Sequence, residues 1–131
     1  MADIGKDIQR AKDLLMENQL VAIPTETVYG LAGNALNENA IAKIYEVKNR
    51  PYFDPLIIHT SSIEKIKHLV KNIPDIFIQL AEAFVPGPLT FLLEKEQEVP
   101  DMVTAGSDKV AVRIPDHPLT LKLLDELDFP L

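Results

Sequence analysis

Lys48 and Arg50 stand two residues apart where a helical pattern runs into Pro51. Two cations at that spacing on a helix exit can grip neighbouring phosphate oxygens, arginine through a two-pronged guanidinium and lysine as a point charge. Cations there also compensate the helix dipole, so the pair alone leaves both roles open. Upstream, Pro24-Thr25-Glu26-Thr27-Val28-Tyr29-Gly30-Leu31 follows the apolar run Leu20–Ile23 and precedes the small residues Ala32–Ala35. This order predicts a strand running out into a polar loop, and in open α/β sheets ligands gather beyond strand ends. If the stretch is extended, Thr25 and Thr27 share a side and Glu26 faces the other way. Ordinary β-propensity and turn chemistry also account for threonines here.

Three more side chains belong to the same group. His59 ends the short apolar run Leu56–Ile58, either as a ligand contact beside the Thr25 loop or as a hydrogen-bonded structural histidine. Lys109–Ile114 alternates, with Val110, Val112 and Ile114 on one side and Ala111 and Arg113 on the other. The small Ala111 leaves room for a bound group beside Arg113, which a cross-strand ion pair would also explain. Thr104 precedes Ala105-Gly106 as a loop hydroxyl. His59, His68 and His117 lack zinc-motif spacing; His68 reads as solvated and His117 as part of a helix cap. The sequence holds no cysteine, no G-x-x-x-x-G-K-[ST], no G-x-G-x-x-G and no serine nucleophile elbow. A nucleotide here would be held without a glycine-rich cradle.

The elements that must position these groups follow from hydrophobic periodicity. Helices are expected at residues 3–18, at 38–48 with Pro51 as the stop, and after a Ser61/Glu64 capping box. A further helix starts near Pro74, with Phe77, Leu80, Ala81 and Phe84 inward, and the last is capped by Asp116, with Leu119, Leu123, Leu124 and Leu127 inward. Strands are expected at 20–23, 56–58, 89–93 and 109–114, with a charged loop at 94–101. Asp128-Phe129-Pro130-Leu131 reads as the approach to another strand. The mixture predicts one α/β domain over 1–131, a twisted sheet of parallel and antiparallel strands with flanking helices.

Composition limits the function classes. With 47% hydrophobic residues and no tryptophan, 131 residues can bury one aliphatic core. The net charge is −7, from 13 basic and 20 acidic side chains. That counts against a general nucleic-acid binder but leaves a small anion open, which needs only a local cluster of cations. No apolar run reaches the roughly 18 residues of a membrane span, and the N-terminus lacks a signal-peptide pattern. A cytoplasmic protein with no membrane partner is the expectation.

The joint pattern resembles the YrdC/Sua5 family of threonylcarbamoyl-AMP synthases. The matching stretches are Pro24–Leu31, Lys48–Pro51, Asp54-Pro55-Leu56 with His59, Pro86–Thr90, Thr104–Gly106 and Val110–Pro115. The resemblance implies a YrdC-like fold with a concave ligand face. It implies an ATP-dependent nucleotidyltransferase that turns L-threonine, bicarbonate and ATP into threonylcarbamoyl-AMP and pyrophosphate. This product supplies the t6A37 modification of tRNA, so a downstream tRNA threonylcarbamoyl transferase machinery is an implied partner, with tRNA contact left open. By position, Lys48, Arg50 and Thr104 fall to ATP, and Thr25, His59 and Arg113 to threonine. The ligand touched by Thr104 and by Arg113 stays open between the two. No catalytic acid, base or nucleophile is implied, and magnesium is expected with ATP.

The family carries a further S-x-N motif beyond the position of Leu131, so the expectation is a partial YrdC-like domain with impaired turnover on its own. Two other functions stand beside the enzyme. One is a non-catalytic YrdC-like RNA-binding module. The other is a carbamoyl-transfer module of a hydrogenase-maturation protein, disfavoured by the lack of zinc-finger and acylphosphatase-like segments.

Overall fold

The computed structural model describes residues 8–24, 29–51, 53–84, 87 and 89–131. In chain order the elements are α1 (Ile8–Met16), β1 (Val21–Pro24), β2 (Tyr29–Ala32), α2 (Glu38–Val47), β3 (Ile57–His59), α3 (Ile63–Lys67), α4 (Asp75–Phe84), β4 (Phe91–Glu94), α5 (Asp101–Thr104), β5 (Lys109–Arg113) and α6 (Pro118–Glu126).

The alternation at 109–114 organises the main sheet. β5 lies between β3, which runs parallel to it, and β4, which runs antiparallel. Val110 and Val112 turn to one face and are fully buried with Ile58, Phe91 and Leu93. Helix residues Ile41, Tyr45, Ile66, Phe77 and Ala81 close over that face. Phe77 and Phe91 meet there with ring centroids 4.6 Å apart. The other face is more open among the described residues, with Ile57 45% exposed. Ile57, Ala111 and Leu92 form one cross-strand row on it, and Leu92 is 65% exposed. His59 and Arg113 make the next row on that open face, because side chains two residues apart share a side.

β1 and β2 pair as an antiparallel hairpin, with Pro24 opposite Tyr29. The connection, with Thr25, Glu26 and Thr27, lies outside the described residues. The hairpin packs with α1 and α6 around a second cluster that includes Leu15, Ile23, Ala32, Leu123, Leu124 and Leu127. Gly33 lets the chain after β2 close on α2. A Cβ there would sit 2.8 Å from a Leu20 methyl and 3.4 Å from the Ala40 Cβ.

The mixed sheet and flanking helices match the expected fold class, and several details differ. Tyr29–Ala32 is a strand, where the sequence predicts loop; glycine and alanine are weak strand formers, and pairing with β1 supplies what propensity lacks. α2 ends before Pro51 acts, because Asn49 takes a left-handed φ of 51°. The cap of α3 is Ser62, whose side chain accepts from the Lys65 amide, so the expected box is shifted by one residue. α4 starts after Pro74, and Leu80 is 36% exposed rather than inward. A short helix, α5, begins at the end of the expected loop. His117, not Asp116, occupies the N-cap of α6, with Pro118 as its first helical residue.

Candidate functional site

Arg50 is aimed by the way α2 ends. The Arg50 amide bonds to the Tyr45 carbonyl and the Asn49 amide to the Glu46 carbonyl. This is the paired closure of a Schellman motif, and the left-handed position falls to asparagine, which tolerates it. Lys48 is the C-cap of the same helix. The Arg50 side chain then folds onto the following loop. Its Nε donates to the Asp54 carbonyl at 3.1 Å and its Nη2 to the Pro55 carbonyl at 2.6 Å, and Nη2 lies 3.2 Å from the Asp54 carboxylate.

That loop is itself fixed. The hydroxyl of Tyr45 lies 2.7 Å from the Met102 carbonyl and 3.1 Å from the Asp54 carbonyl. Burial raises the Tyr45 pKa, so the hydroxyl keeps its proton and donates. The Leu56 amide also bonds to the Val103 carbonyl at 2.8 Å. Arg50 therefore rests on carbonyls that are tied to α5.

His59 and Arg113 face each other across the parallel pair β3–β5. Burial lowers the His59 pKa, outweighing a backbone hydrogen bond that raises it. The ring is therefore neutral near pH 7. Its Nδ1 lies 3.2 Å from the Ile57 carbonyl, an acceptor, so Nδ1 carries the proton. Nε2 is then left as an acceptor for a hydroxyl or ammonium. Arg113 donates from Nε to the Gly87 carbonyl at 3.1 Å, while the Gly87 amide bonds to the Ile114 carbonyl at 2.9 Å. Burial lowers the Arg113 pKa, yet a guanidinium keeps its charge at any physiological pH.

Lys48, Arg50, His59 and Arg113 all line one cavity of about 350 Å³. Its apolar walls come from the hairpin (Ile23, Leu31), α2 (Ile41, Ile44) and β3 with its approach (Leu56, Ile57). No aspartate or glutamate side chain is among the described residues lining it. A second cavity of similar volume sets Lys65 and His68 against Glu98, Asp125 and Asp128. Cation enrichment therefore belongs to the first cavity alone of these two, in a chain whose net charge is −7. Among the described residues no group of three or more potential ligands could hold a metal ion.

One expected site residue is not among the cavity's lining, and one lies outside the described residues. Thr104 is 3% exposed, and its hydroxyl lies 2.7 Å from the Ser107 carbonyl and 3.3 Å from that of Asp101. It closes the turn after α5, where Ala105 and Gly106 have φ of 54° and 85°, and its neighbour Val103 reaches the cavity instead. Thr25 lies outside the described residues. Pro24, just before it, is held by Thr120, a buried residue of α6 whose hydroxyl donates to the Pro24 carbonyl.

Sequence reasoning missed Thr120, Gly87 and the Tyr45 hydroxyl as supports of the site. Tyr45 was legible as an inward helix residue, but its acceptors lie 9 and 57 residues away. Leu131 was better signalled. The Leu131 amide bonds to the His59 carbonyl at 2.9 Å and the His59 amide to the Leu131 carbonyl at 2.6 Å. This exchanged pair on the free edge of β3 agrees with the expected approach to a strand.

Residues 13–131 match the Sua5/YciO/YrdC family model, which carries the description "Telomere recombination". The chain is 49% identical over 124 residues to a threonylcarbamoyl-AMP synthase of Pyrococcus abyssi (strain GE5 / Orsay), covering 95% of this chain and 36% of that protein. It is 46% identical over 125 residues to the threonylcarbamoyl-AMP synthase of Bacillus subtilis (strain 168), again covering 95% and 36%. The crystal structure of P. abyssi Sua5 complexed with L-threonine superposes with a TM-score of 0.92 at 48% identity, covering 98% of this chain and 38% of that one. The chain thus spans little more than a third of the length of these relatives. By its family match over nearly all of its residues, the chain belongs to the Sua5/YciO/YrdC family.

Proposed function

We propose that the cavity holds the polyphosphate of ATP beside L-threonine, and that the protein acts as an L-threonylcarbamoyladenylate synthase. The observation that carries this is three cations and a neutral imidazole in one cavity, with no carboxylate side chain among its described lining residues. Such a lining favours a ligand with several negative charges and at least one hydrogen-bond donor. ATP supplies the charges, and threonine supplies a carboxylate, an ammonium and a hydroxyl. Lys48 and Arg50 take the triphosphate. Arg113 takes the threonine carboxylate, and His59 Nε2 accepts from its hydroxyl or amine. Thr25, one residue beyond the anchored Pro24, completes the threonine side. Thr104 contributes through the turn it closes beside Val103.

The threonine amine and bicarbonate condense to a carbamate with loss of water. A carbamate oxygen then attacks the α-phosphorus, the bond from that phosphorus to the α,β-bridging oxygen breaks, and pyrophosphate leaves with the electron pair. Nothing in this sequence requires a protein nucleophile. The protein contributes orientation and fixed positive charge where charge builds on the phosphates. Magnesium enters as the partner of ATP, since the described lining offers no carboxylate ligands for it. The product would feed a tRNA threonylcarbamoyl transferase.

The test is pyrophosphate release by the intact gene product. Release should need ATP, bicarbonate and L-threonine together. Salt-sensitive tRNA binding with no threonine-dependent pyrophosphate would replace the enzyme with a binding module.

A further inference from the structure

Arg50, a cation of the cavity, has a carboxylate beside it. Asp54 lies 3.2 Å from its Nη2, 51% exposed, and is not part of the cavity lining. The ion pair is not what holds the guanidinium in place, because Nε and Nη2 are already anchored on the Asp54 and Pro55 carbonyls. The Asp54 carbonyl is in turn held by Tyr45. Among the described residues, the bonds of Arg50 leave Nη1 with both hydrogens for a ligand.

We propose that Asp54 is an affinity-setting residue that acts through Arg50: its carboxylate cancels part of the Arg50 charge and so keeps polyphosphate binding weak and reversible. This inference rests on the polyphosphate reading of the cavity. A carboxylate paired with a guanidinium competes with a bound polyanion for it, and that competition falls as salt screens the pair. Exposed ion pairs add little to stability, so the fold does not depend on this one. Weak binding suits a site that must release pyrophosphate in each cycle.

Calorimetric titration of inorganic tripolyphosphate tests this in the wild-type protein, Asp54→Asn, Asp54→Glu, Arg50→Ala and the Arg50→Ala/Asp54→Asn double variant. Asparagine keeps the backbone carbonyls and removes only the charge. Asp54→Asn should tighten binding roughly 3- to 10-fold at low salt, with the gain shrinking as salt rises. Asp54→Glu should stay near wild type. In the Arg50→Ala background the asparagine substitution should change affinity less than about twofold, since the coupling runs through Arg50. Unchanged or weaker binding in Asp54→Asn overturns the proposal. So does an equal gain in the Arg50→Ala background, which would mark a general charge effect. If wild-type protein and every variant ignore tripolyphosphate, the polyphosphate reading itself falls and this inference with it.

Discussion

His59 and Arg113 are register partners on adjacent parallel strands, and both side chains point into the cavity that Lys48 and Arg50 enter from the end of α2. A neutral acceptor and a fixed cation side by side are what the proposed threonine site needs. Arg113 is aimed by its Nε bond to Gly87, which a lysine cannot reproduce in the same fork geometry. Arg113→Lys should therefore weaken threonine binding by about 1–2 kcal/mol although the charge is kept. Equal affinity by calorimetry would mean that only the charge matters.

His59 makes stability depend on pH. Its folded pKa lies below the ordinary value of about 6.5, so its contribution is fully present above that pH. Below about 6.5 the unfolded chain takes up a proton that the folded ring resists, and stability falls until the folded pKa is passed. Urea unfolding from pH 7 down to about 5, above most carboxylate titration, should show this decline. His59→Gln should flatten it. Parallel curves for the two proteins would show that the ring titrates normally.

Tyr45 ties α2 to the loop that receives Arg50 and to α5. Tyr45→Phe leaves a tightly packed ring but removes the hydroxyl that meets both carbonyls. Stability should drop by about 1–2 kcal/mol in chemical denaturation. ATP affinity should fall as well, because the Asp54 carbonyl under Arg50 is released. Lost stability with full ATP affinity would separate the loop anchor from the site.

Thr120 offers a control on the other side of the cavity. Thr120→Val keeps the volume and removes the hydrogen bond to Pro24, at a cost of about 1 kcal/mol. Threonine affinity should fall more than ATP affinity, as it should in Thr25→Ala. Thr120→Ser should restore it. An equal loss of both ligands would indicate damage to the fold.

Much of this was legible in the sequence because burial and periodicity speak in local patterns. The alternation of Val110, Ala111, Val112 and Arg113 placed Arg113 on the open face correctly, since a strand offers two sides only. Lys48 and Arg50 were legible through the helix that precedes them. Hidden were the features that depend on partners far along the chain. β2 forms because β1 is there to pair with it, and Gly30 and Ala32 carry little strand signal of their own. Leu80 was placed inward by helical spacing, yet the layer above α4 is solvent at that position. Thr104 looked like a loop hydroxyl available to a ligand, and a turn three residues long uses it instead.

The central claim is that Lys48 and Arg50 meet a triphosphate, and ATP titration of three proteins addresses it most directly. Lys48→Ala and Arg50→Ala should each bind ATP more weakly than wild type by about 1–3 kcal/mol while remaining folded. If both variants bind ATP as the wild type does, the cations serve the helix end alone and the cavity is not a polyphosphate site.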